Sequence, residues 1–476
     1  MQATFDWPLL AVELTVSGWI LLMLAADMLL PDARKGSAWL LALAGVVVST
    51  AVLAWQQRAG LEGTFQGLFV LDQFGIYFKG LFLLTTAAII VMTREFHAKL
   101  TVNAGAFYLL LLNALLGMLI LASIHDLIML FLGLELLTFS LYIMAAYLRT
   151  DARSVEAGMK YLIMGSVSSG FLVYGIALLY GFAGGTSFEV IHAALIRGPA
   201  PLTAVAGFLL ILAGLGFKIA MVPFHLWLPD VYEGAPTPVV ALLSVGSKMA
   251  GVIALMRLLY GVFLPMAWLW TNLLAVLSAA TLLYGNLGAI PQTNIKRLLG
   301  YSSIGHAGYL LMGLATGSAA GTHAVAYYLL AYVFSNLLVF LVVTVATAGV
   351  GGEALDDYRG LSKRSGILAG SLFVGLLSLA GVPPLAGFVG KLLVLLAAVE
   401  SRYLWLAAVG AVNVAISLYY YLMVVKRMYL DAPRTNAPIR ISPAASAVLA
   451  GLILGILAIG TVQEPFLSRI LSALAP

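Results

Sequence analysis

GLGFKIAMVPFHLWLPD, residues 214–230, decides how the whole chain is read. It begins as a run apolar enough for lipid, sets an ammonium into that run at Lys218, and interrupts the same helix at Pro223. Proline removes one helix hydrogen bond and sterically blocks another. Irregular backbone at membrane depth is tolerated only where protein buries it or where it lines a watery cavity. The stretch therefore predicts a broken transmembrane helix with a charge beside the break, in an all-α polytopic membrane protein.

The rest of the 476-residue chain supports that reading. It is 62% hydrophobic and 9% charged, where a soluble domain has roughly 25% charged residues. Cysteine is absent, which excludes disulfides, thiolate-held iron–sulfur clusters, zinc ribbons and thiol nucleophiles. No metal site and no cofactor site are predicted, and no glycine-rich dinucleotide fingerprint stands in a strand-to-helix setting. The net charge of +5 would suggest nucleic acid in a soluble protein. Here the basic residues lie between apolar segments, so topology accounts for them and no nucleic-acid partner is expected. Asp6 and Glu13 stand where a cleavable signal would be basic.

A span needs about 20 apolar residues. Windows of that length predict fourteen spans, starting near Pro8, Ala38, Leu68, Ala104, Leu127, Ala157, Thr203, Thr237, Leu264, Ile295, Gly321, Gly366, Tyr403 and Pro443. The longest polar connections are residues 183–200, 349–365 and 429–442, and none reads as a soluble domain. Cytoplasmic loops carry an excess of Lys and Arg. Loops after odd-numbered spans hold fifteen such residues, among them Arg34, Lys35, Lys99, Arg149, Arg153, Lys296, Arg297 and Arg434. The opposite side holds only Arg58, Arg197, Arg402 and Arg469, so both termini are expected on the non-cytoplasmic side.

Six basic residues remain inside the predicted spans: Lys79, Lys160, Lys218, Lys248, Arg257 and Lys391. Glu135 in LFLGLELLTFSLY (130–142) and His306 in GYSSIGHAGYLL (300–311) join them. A charge at the bilayer centre costs about 2.5–3.5 kcal/mol on insertion scales, so these groups need interior partners or water. Lys79 and Arg257 read as snorkelling charges or as partners of a carboxylate. Lys160 lies only a few residues into its span, which leaves an interfacial anchor and a buried relay both open. Glu135, Lys218, Lys248 and Lys391 read as static ion pairs or as stations of a proton path. His306 reads as a relay or as a neutral imidazole bonded to Ser or Tyr. His225, beside Pro223, reads as a helix-end cap or gate, and His323 carries no signal.

The proton path has a physical basis. An ammonium taken out of water holds its proton less tightly, and a nearby carboxylate reverses that. A carboxylate moving towards or away from a lysine thus loads or discharges it. A second break, in SLAGVPPLAGFVGKLL (378–393), sets Pro383 and Pro384 ahead of Lys391. Two interrupted spans, each with a lysine, match the inverted-repeat design of transporters. Lys218 precedes Pro223, whereas Lys391 follows Pro384, so the expected symmetry is architectural and not residue by residue.

FKIAMVPFHLWLPDVYEGAPTPV (217–239), NIKRLLGYSSIGHAGYLLMG (294–313) and YRGLSKRSG (358–366) together resemble the antiporter-like membrane subunits of respiratory complex I, the NADH:quinone oxidoreductase. Those subunits are related to Mrp-type cation/proton antiporter subunits. The resemblance runs from about residue 60 to 430. It implies three N-terminal helices over 1–103, a first five-helix repeat over 104–260, an inverted second repeat over 261–428, and a C-terminal loop and helix over 429–476. It implies a proton relay of Glu135, Lys160, Lys218, Lys248, His306 and Lys391, with Pro223, His225, Pro383 and Pro384 at the breaks and gates. Glu135 and Lys218 form its switchable pair, Lys248 and His306 relay, and Lys391 gates the exit side.

The implied function is proton translocation in the bacterial cytoplasmic (inner) membrane, as a non-redox subunit of a translocase. Flavin, iron–sulfur clusters and quinone would sit in or at partner subunits. The implied partners are other membrane-arm subunits, including a homologous antiporter-like one, and membrane lipids. Two alternatives stand beside this reading: a subunit of an Mrp-type cation/proton antiporter driven by an existing gradient, and a structural membrane subunit whose charges are static pairs.

Overall fold

Residues 6–29, 37–96, 104–435 and 437–474 are described in the computed structural model; Arg34, Lys35 and Lys99, counted above as loop charges, lie outside them. Helix follows helix because lipid offers the backbone no hydrogen-bond partner. The N-terminal part is α1 (Ala11–Leu29), α2 (Ala38–Arg58), a hairpin of β1 (Gly63–Phe65) and β2 (Phe69–Leu71), and α3 (Gln73–Phe96). Then come α4 (Ala104–Ala122), α5 (Leu127–Ala145), α6 (Ala152–Ala183), the short α7 (Phe188–Leu195), α8 (Leu202–Ile219) and α9 (Trp227–Gly234). They are followed by α10 (Thr237–Gly261), α11 (Leu264–Ala289), α12 (Ile295–Ala315) and α13 (Ala319–Val350). The chain closes with α14 (Gly366–Ala380), α15 (Ala386–Glu400), α16 (Leu404–Tyr429), α17 (Pro443–Thr461) and α18 (Glu464–Ala473).

Twelve helices among the described residues are long and apolar enough to cross a membrane, against the fourteen windows read from the sequence. The other two windows fall on α12, which carries Lys296, Arg297 and His306, and on α14–α15, whose halves have 15 residues each. The window expected near Leu68 starts at Gln73, because residues 63–71 form the hairpin. The one expected near Ala157 starts at Ala152, where Asp151 caps the helix by accepting from the Arg153 N–H. A polar residue at that place satisfies an amide that the helix itself cannot.

One loop arrangement recurs. Asp126 bridges Ser187 at the start of α5, with Leu127 N–H donating to Thr186 O and Phe188 N–H to His125 O. Asn294 bridges Ala354 at the start of α12, with Ile295 N–H donating to Glu353 O and Leu355 N–H to Thr293 O. The helix following each, α6 and α13, has 32 residues and ends on a left-handed glycine, Gly184 or Gly351. The next membrane helix is broken in both cases: α8 gives way to α9, and α14 to α15.

α10 is wholly enclosed and α13 nearly so, whereas α6 turns most of its surface outwards. Exposed Leu132, Ile163, Val276 and Leu454 belong to the apolar belt around this core. Two of the span charges are tied off at its edge. Lys79 of α3 pairs with Glu13 of α1 at 2.8 Å, both buried. Arg257, near the end of α10, holds the two Asp72 oxygens at 2.7 and 3.0 Å and donates its Nε–H to Ala122 O. The carboxylate partners expected for Lys79 and Arg257 are thus in place.

Candidate functional site

α8 ends at Ile219 because Ala220 turns into the left-handed region at φ 58°, a common way to close a helix. Lys218 lies in its last turn, fully inside the chain. Its ammonium donates to Thr138 Oγ1 of α5 at 2.8 Å and to the Tyr161 hydroxyl at 3.4 Å. Gly251 of α10 leaves room for the Lys218 stem: a Cβ there would stand 3.3 Å from its Cγ. Two bonds hold the break together. The Val222 N–H donates to Thr281 Oγ1 of α11, and the Trp227 indole donates to Phe217 O across the gap. Beside Lys218 is a cavity of about 20 Å3, lined by Glu135, Thr138, Tyr142, Ser168 and Ser169, which has room for about one water molecule. Glu135 accepts from Ser169 Oγ at 2.5 Å and shares that cavity with Lys218 without touching it.

At the second break the lysine comes from the other side. α14 ends at Ala380, with Gly381 left-handed at φ 88°. Lys391, from α15, reaches back and donates to Ala380 O at 2.9 Å and to Ser417 Oγ at 3.3 Å. Helix C-termini carry unsatisfied carbonyls and partial negative charge, so Lys391 serves the end of α14, whereas Lys218 lies in the last turn of α8 with its ammonium bonded to α5 and α6. A Cβ at Gly381 would fall 2.9 Å from Lys391 Cδ, so the residue there must be small as well as left-handed. A cavity of about 10 Å3 joins Lys391 to His306, Tyr332, Ser335 and Ser378.

Between the breaks lies a row of neutral donors and acceptors. α10 widens into a π turn over Leu243–Ser247, immediately before Lys248; single π turns are frequent at functional sites. The Lys248 ammonium bonds the Ser303 carbonyl and hydroxyl. Ser303 also meets the hydroxyls of Tyr332 at 3.0 Å and Tyr232 at 3.2 Å. Tyr332 continues to Ser244, which donates to Asn336. His306 bonds the hydroxyls of Tyr328 at 2.6 Å and Tyr421 at 3.2 Å, and Tyr421 also bonds Ser302. Among the described residues, Lys218, Lys248 and Lys391 are bonded to hydroxyls and carbonyls and form no ion pair.

Lys160 takes the anchor position that the sequence left open and not the buried one of the relay that the resemblance implies. It is not buried: its side chain is 43% exposed, on the outer face of α6, between Glu156 at 2.8 Å and Asp230 at 2.7 Å. Arg297 binds the other Asp230 oxygen and Glu233. The early position in the span, which first suggested an anchor, is what counts, since the helix starts only eight residues before it. His225 is buried against the Tyr284 ring, with centroids 4.0 Å apart, and stands apart from the lysine row. Pro223, Pro383 and Pro384 are exposed at the breaks, and both breaks contain a cis X–Pro bond. The serines and tyrosines of the row escaped the sequence reading. Their only signal was polar side chains recurring in enclosed helices at intervals of three or four residues.

Comparison with known proteins places this geometry. Residues 122–417 match the family model described as NADH:quinone oxidoreductase/Mrp antiporter, TM. The chain is 42% identical over 460 residues to a NADH-quinone oxidoreductase subunit N of Moorella thermoacetica, covering 96% of both chains. It is similar in structure to a chain of respiratory complex I from Thermus thermophilus with bound aureothin, at TM-score 0.82 and 31% identity, covering 96% of this chain and 98% of that one. A chain of the Mrp complex from Dietzia sp. DQ12-45-1b has the same fold at TM-score 0.88 and 22% identity, covering 99% of this chain and 97% of that one.

Proposed function

This chain belongs to the membrane-subunit family of NADH:quinone oxidoreductases and Mrp antiporters, and from that premise we propose that it translocates protons as a non-redox subunit of a redox-driven complex in the bacterial inner membrane. The observation that carries the reading is the row of enclosed lysines bonded only to neutral groups. A static role would supply each ammonium with a carboxylate, as it does for Lys79 and Arg257. An enclosed ammonium without one gives up its proton readily and regains it when a counter-charge or water comes near.

Glu135 is the adjustable counter-charge for Lys218, across the shared cavity. Lys248, Ser303 and Tyr332 pass the proton inward, and His306 with its two tyrosine partners carries it towards Lys391. The recurring loop bridges and the paired broken helices support two inverted repeats, over 104–260 and 261–428, with 1–103 and 429–476 packed beside them. The Lys/Arg asymmetry supports both termini on the non-cytoplasmic side. Moving one charge against 100 mV needs about 2.3 kcal/mol. That energy comes from electron transfer in partner subunits, which hold flavin and iron–sulfur clusters and act on quinone. Other membrane-arm subunits and lipids then cover the apolar belt.

Lys218→Met in the assembled complex tests this. Donor:quinone turnover and proton uptake are measured in sealed vesicles after assembly is checked. Pumping is expected to fall by about a hundredfold or more, the lower edge of what a positioned proton-transfer group contributes. Full pumping with normal assembly would make Lys218 a structural charge.

A further inference from the structure

A cavity of about 680 Å3 opens at the end of the bundle where α10 begins and α13 ends. Asp151, Glu233, Glu353 and Asp357 line it, against Arg153 and Lys296. The loop charges put this end on the cytoplasmic side. Its floor includes the buried side chains of Thr237 and Thr347. Lys296 closes one wall by pairing with Glu353 at 2.8 Å and donating to Ala235 O at 3.0 Å.

Two packed helices run inward from that floor. On α13, Thr347, Thr344, Phe340, Asn336 and Tyr332 follow at intervals of three or four residues and so share a face. On α10, Thr237, Ala241, Ser244 and Lys248 do the same. At the inner end Ser244, Asn336 and Tyr332 already form one hydrogen-bonded group, which Ser303 ties to Lys248. Each face is thus polar at both ends, with one apolar position between them, Phe340 on α13 and Ala241 on α10. Thr344 does not bridge the apolar position of α13, because its hydroxyl is bonded back to the Phe340 carbonyl at 2.8 Å. Tyr232 leans on that position from a third side. Its ring stands edge-on to Phe340 with centroids 6.2 Å apart, while its hydroxyl meets Ser303. From Thr347 to Asn336 is about 16 Å along the helix, at 1.5 Å per residue. An apolar constriction of this kind stops water, and with it protons, until it widens.

We infer that the cavity is the antechamber through which the chain takes up protons, and that Phe340 is the gate between it and Lys248. This rests on the reading of the lysine row as a proton path. Tyr232 belongs to α9, the second half of the first broken helix, so a shift at that break moves the ring that leans on the gate.

The chain has no cysteine, so label found on this subunit once the complex is taken apart reports the introduced cysteine alone. In inside-out vesicles holding the assembled complex, Ala348→Cys, an exposed position in the cavity wall, should react with a small membrane-impermeant methanethiosulfonate added outside, and Asn336→Cys should not. Adding Phe340→Ala should make Asn336→Cys react at least about tenfold faster, and Phe340→Leu, which keeps most of the bulk, should not. Vesicles with Phe340→Ala should also leak protons at rest, and Lys248→Met in the same chain should stop the leak. Phe340→Val serves where the alanine variant fails to assemble. Asn336→Cys reacting with Phe340 intact, or staying silent after the gate is cut back, overturns the gate. A leak that survives Lys248→Met overturns the route. Labelling reads water access whether or not the complex pumps, so normal pumping by Lys218→Met would refute the relay while leaving this readout standing.

Discussion

Around Lys218 the polar groups are a threonine, a tyrosine and, across a small cavity, the carboxylate of Glu135, which is itself half-buried towards the rim of the chain. Around Lys391 they are a helix-end carbonyl, a serine and an imidazole enclosed between two tyrosines. The breaks differ in the same sense. At the second, α17 closes over the kinked backbone so tightly that a Cβ on Gly460 would collide with the Pro384 carbonyl. The prolines are exposed at both breaks, but at the first Leu226 also stands at the surface. A carboxylate beside a cavity with room for a water can change partners, whereas an ionised one with no such space would need a permanent partner. The first half-site is therefore built to be adjusted, and the second to conduct through neutral groups in a rigid frame.

The strongest way to break that contrast is to loosen the second frame. Gly460→Ala should destabilise the protein by about 1–3 kcal/mol, the usual cost of forcing extra volume into a packed interior. Gly451→Ala, on the same helix with open space around it, is the neutral control. Thermal unfolding of both in detergent gives the comparison, and equal midpoints would mean that α17 is no rigid cover.

Glu135→Gln makes the first site resemble the second, keeping a hydrogen-bond acceptor for Ser169 while removing the movable charge. Pumping is expected to drop about fivefold, which corresponds to about 1 kcal/mol of lost pairing. An unchanged rate in sealed vesicles would show that Lys218 works without its carboxylate, as Lys391 does, and the contrast would collapse.

The smallest effect is expected at a charge that is already paired. Burial pushes the Asp72 carboxyl up, but the Arg257 guanidinium beside it, together with the Gly75 N–H and Lys79, outweighs burial and holds it below its ordinary value of 3.8. A lowered folded-state value stabilises the fold above about pH 4, and that stability is lost as pH falls through the lowered value. Asp72→Asn should flatten this acid limb in unfolding curves taken over about pH 2–5, and pumping should stay at the parent rate. A pumping defect in an assembled variant would move Arg257 from the tied-off charges into the path.

Much of the fold was legible in one dimension. Hydropathy is a transfer property of short windows, so helix positions, the membrane class and both proline breaks followed from local composition. The motifs around Pro223, His306 and Tyr358 pointed to the family whose model residues 122–417 match. Lys79 and Arg257 were read as snorkelling or as partners of a carboxylate, and Glu13 and Asp72 decide for the second. For Lys160 the sequence left an anchor and a relay open, because whether a residue eight positions into a helix is covered depends on what packs beside it, and here Glu156 and Asp230 pair with it at a partly exposed position.

What the sequence by itself determined was the inventory: which helices form, where two of them break, and which charges are left in lipid-grade segments. Only the tertiary structure decided how those charges are held. Lys218 finds Thr138, eighty residues away, and Lys248 finds Ser303, fifty-five away, and such pairings are set by how helices cross. It also folded Lys391, which follows its break, back onto the Ala380 carbonyl at the end of the half-helix before it. Sequence spacing measures distance along the chain, whereas the negative end of a half-helix attracts an ammonium through space from either direction.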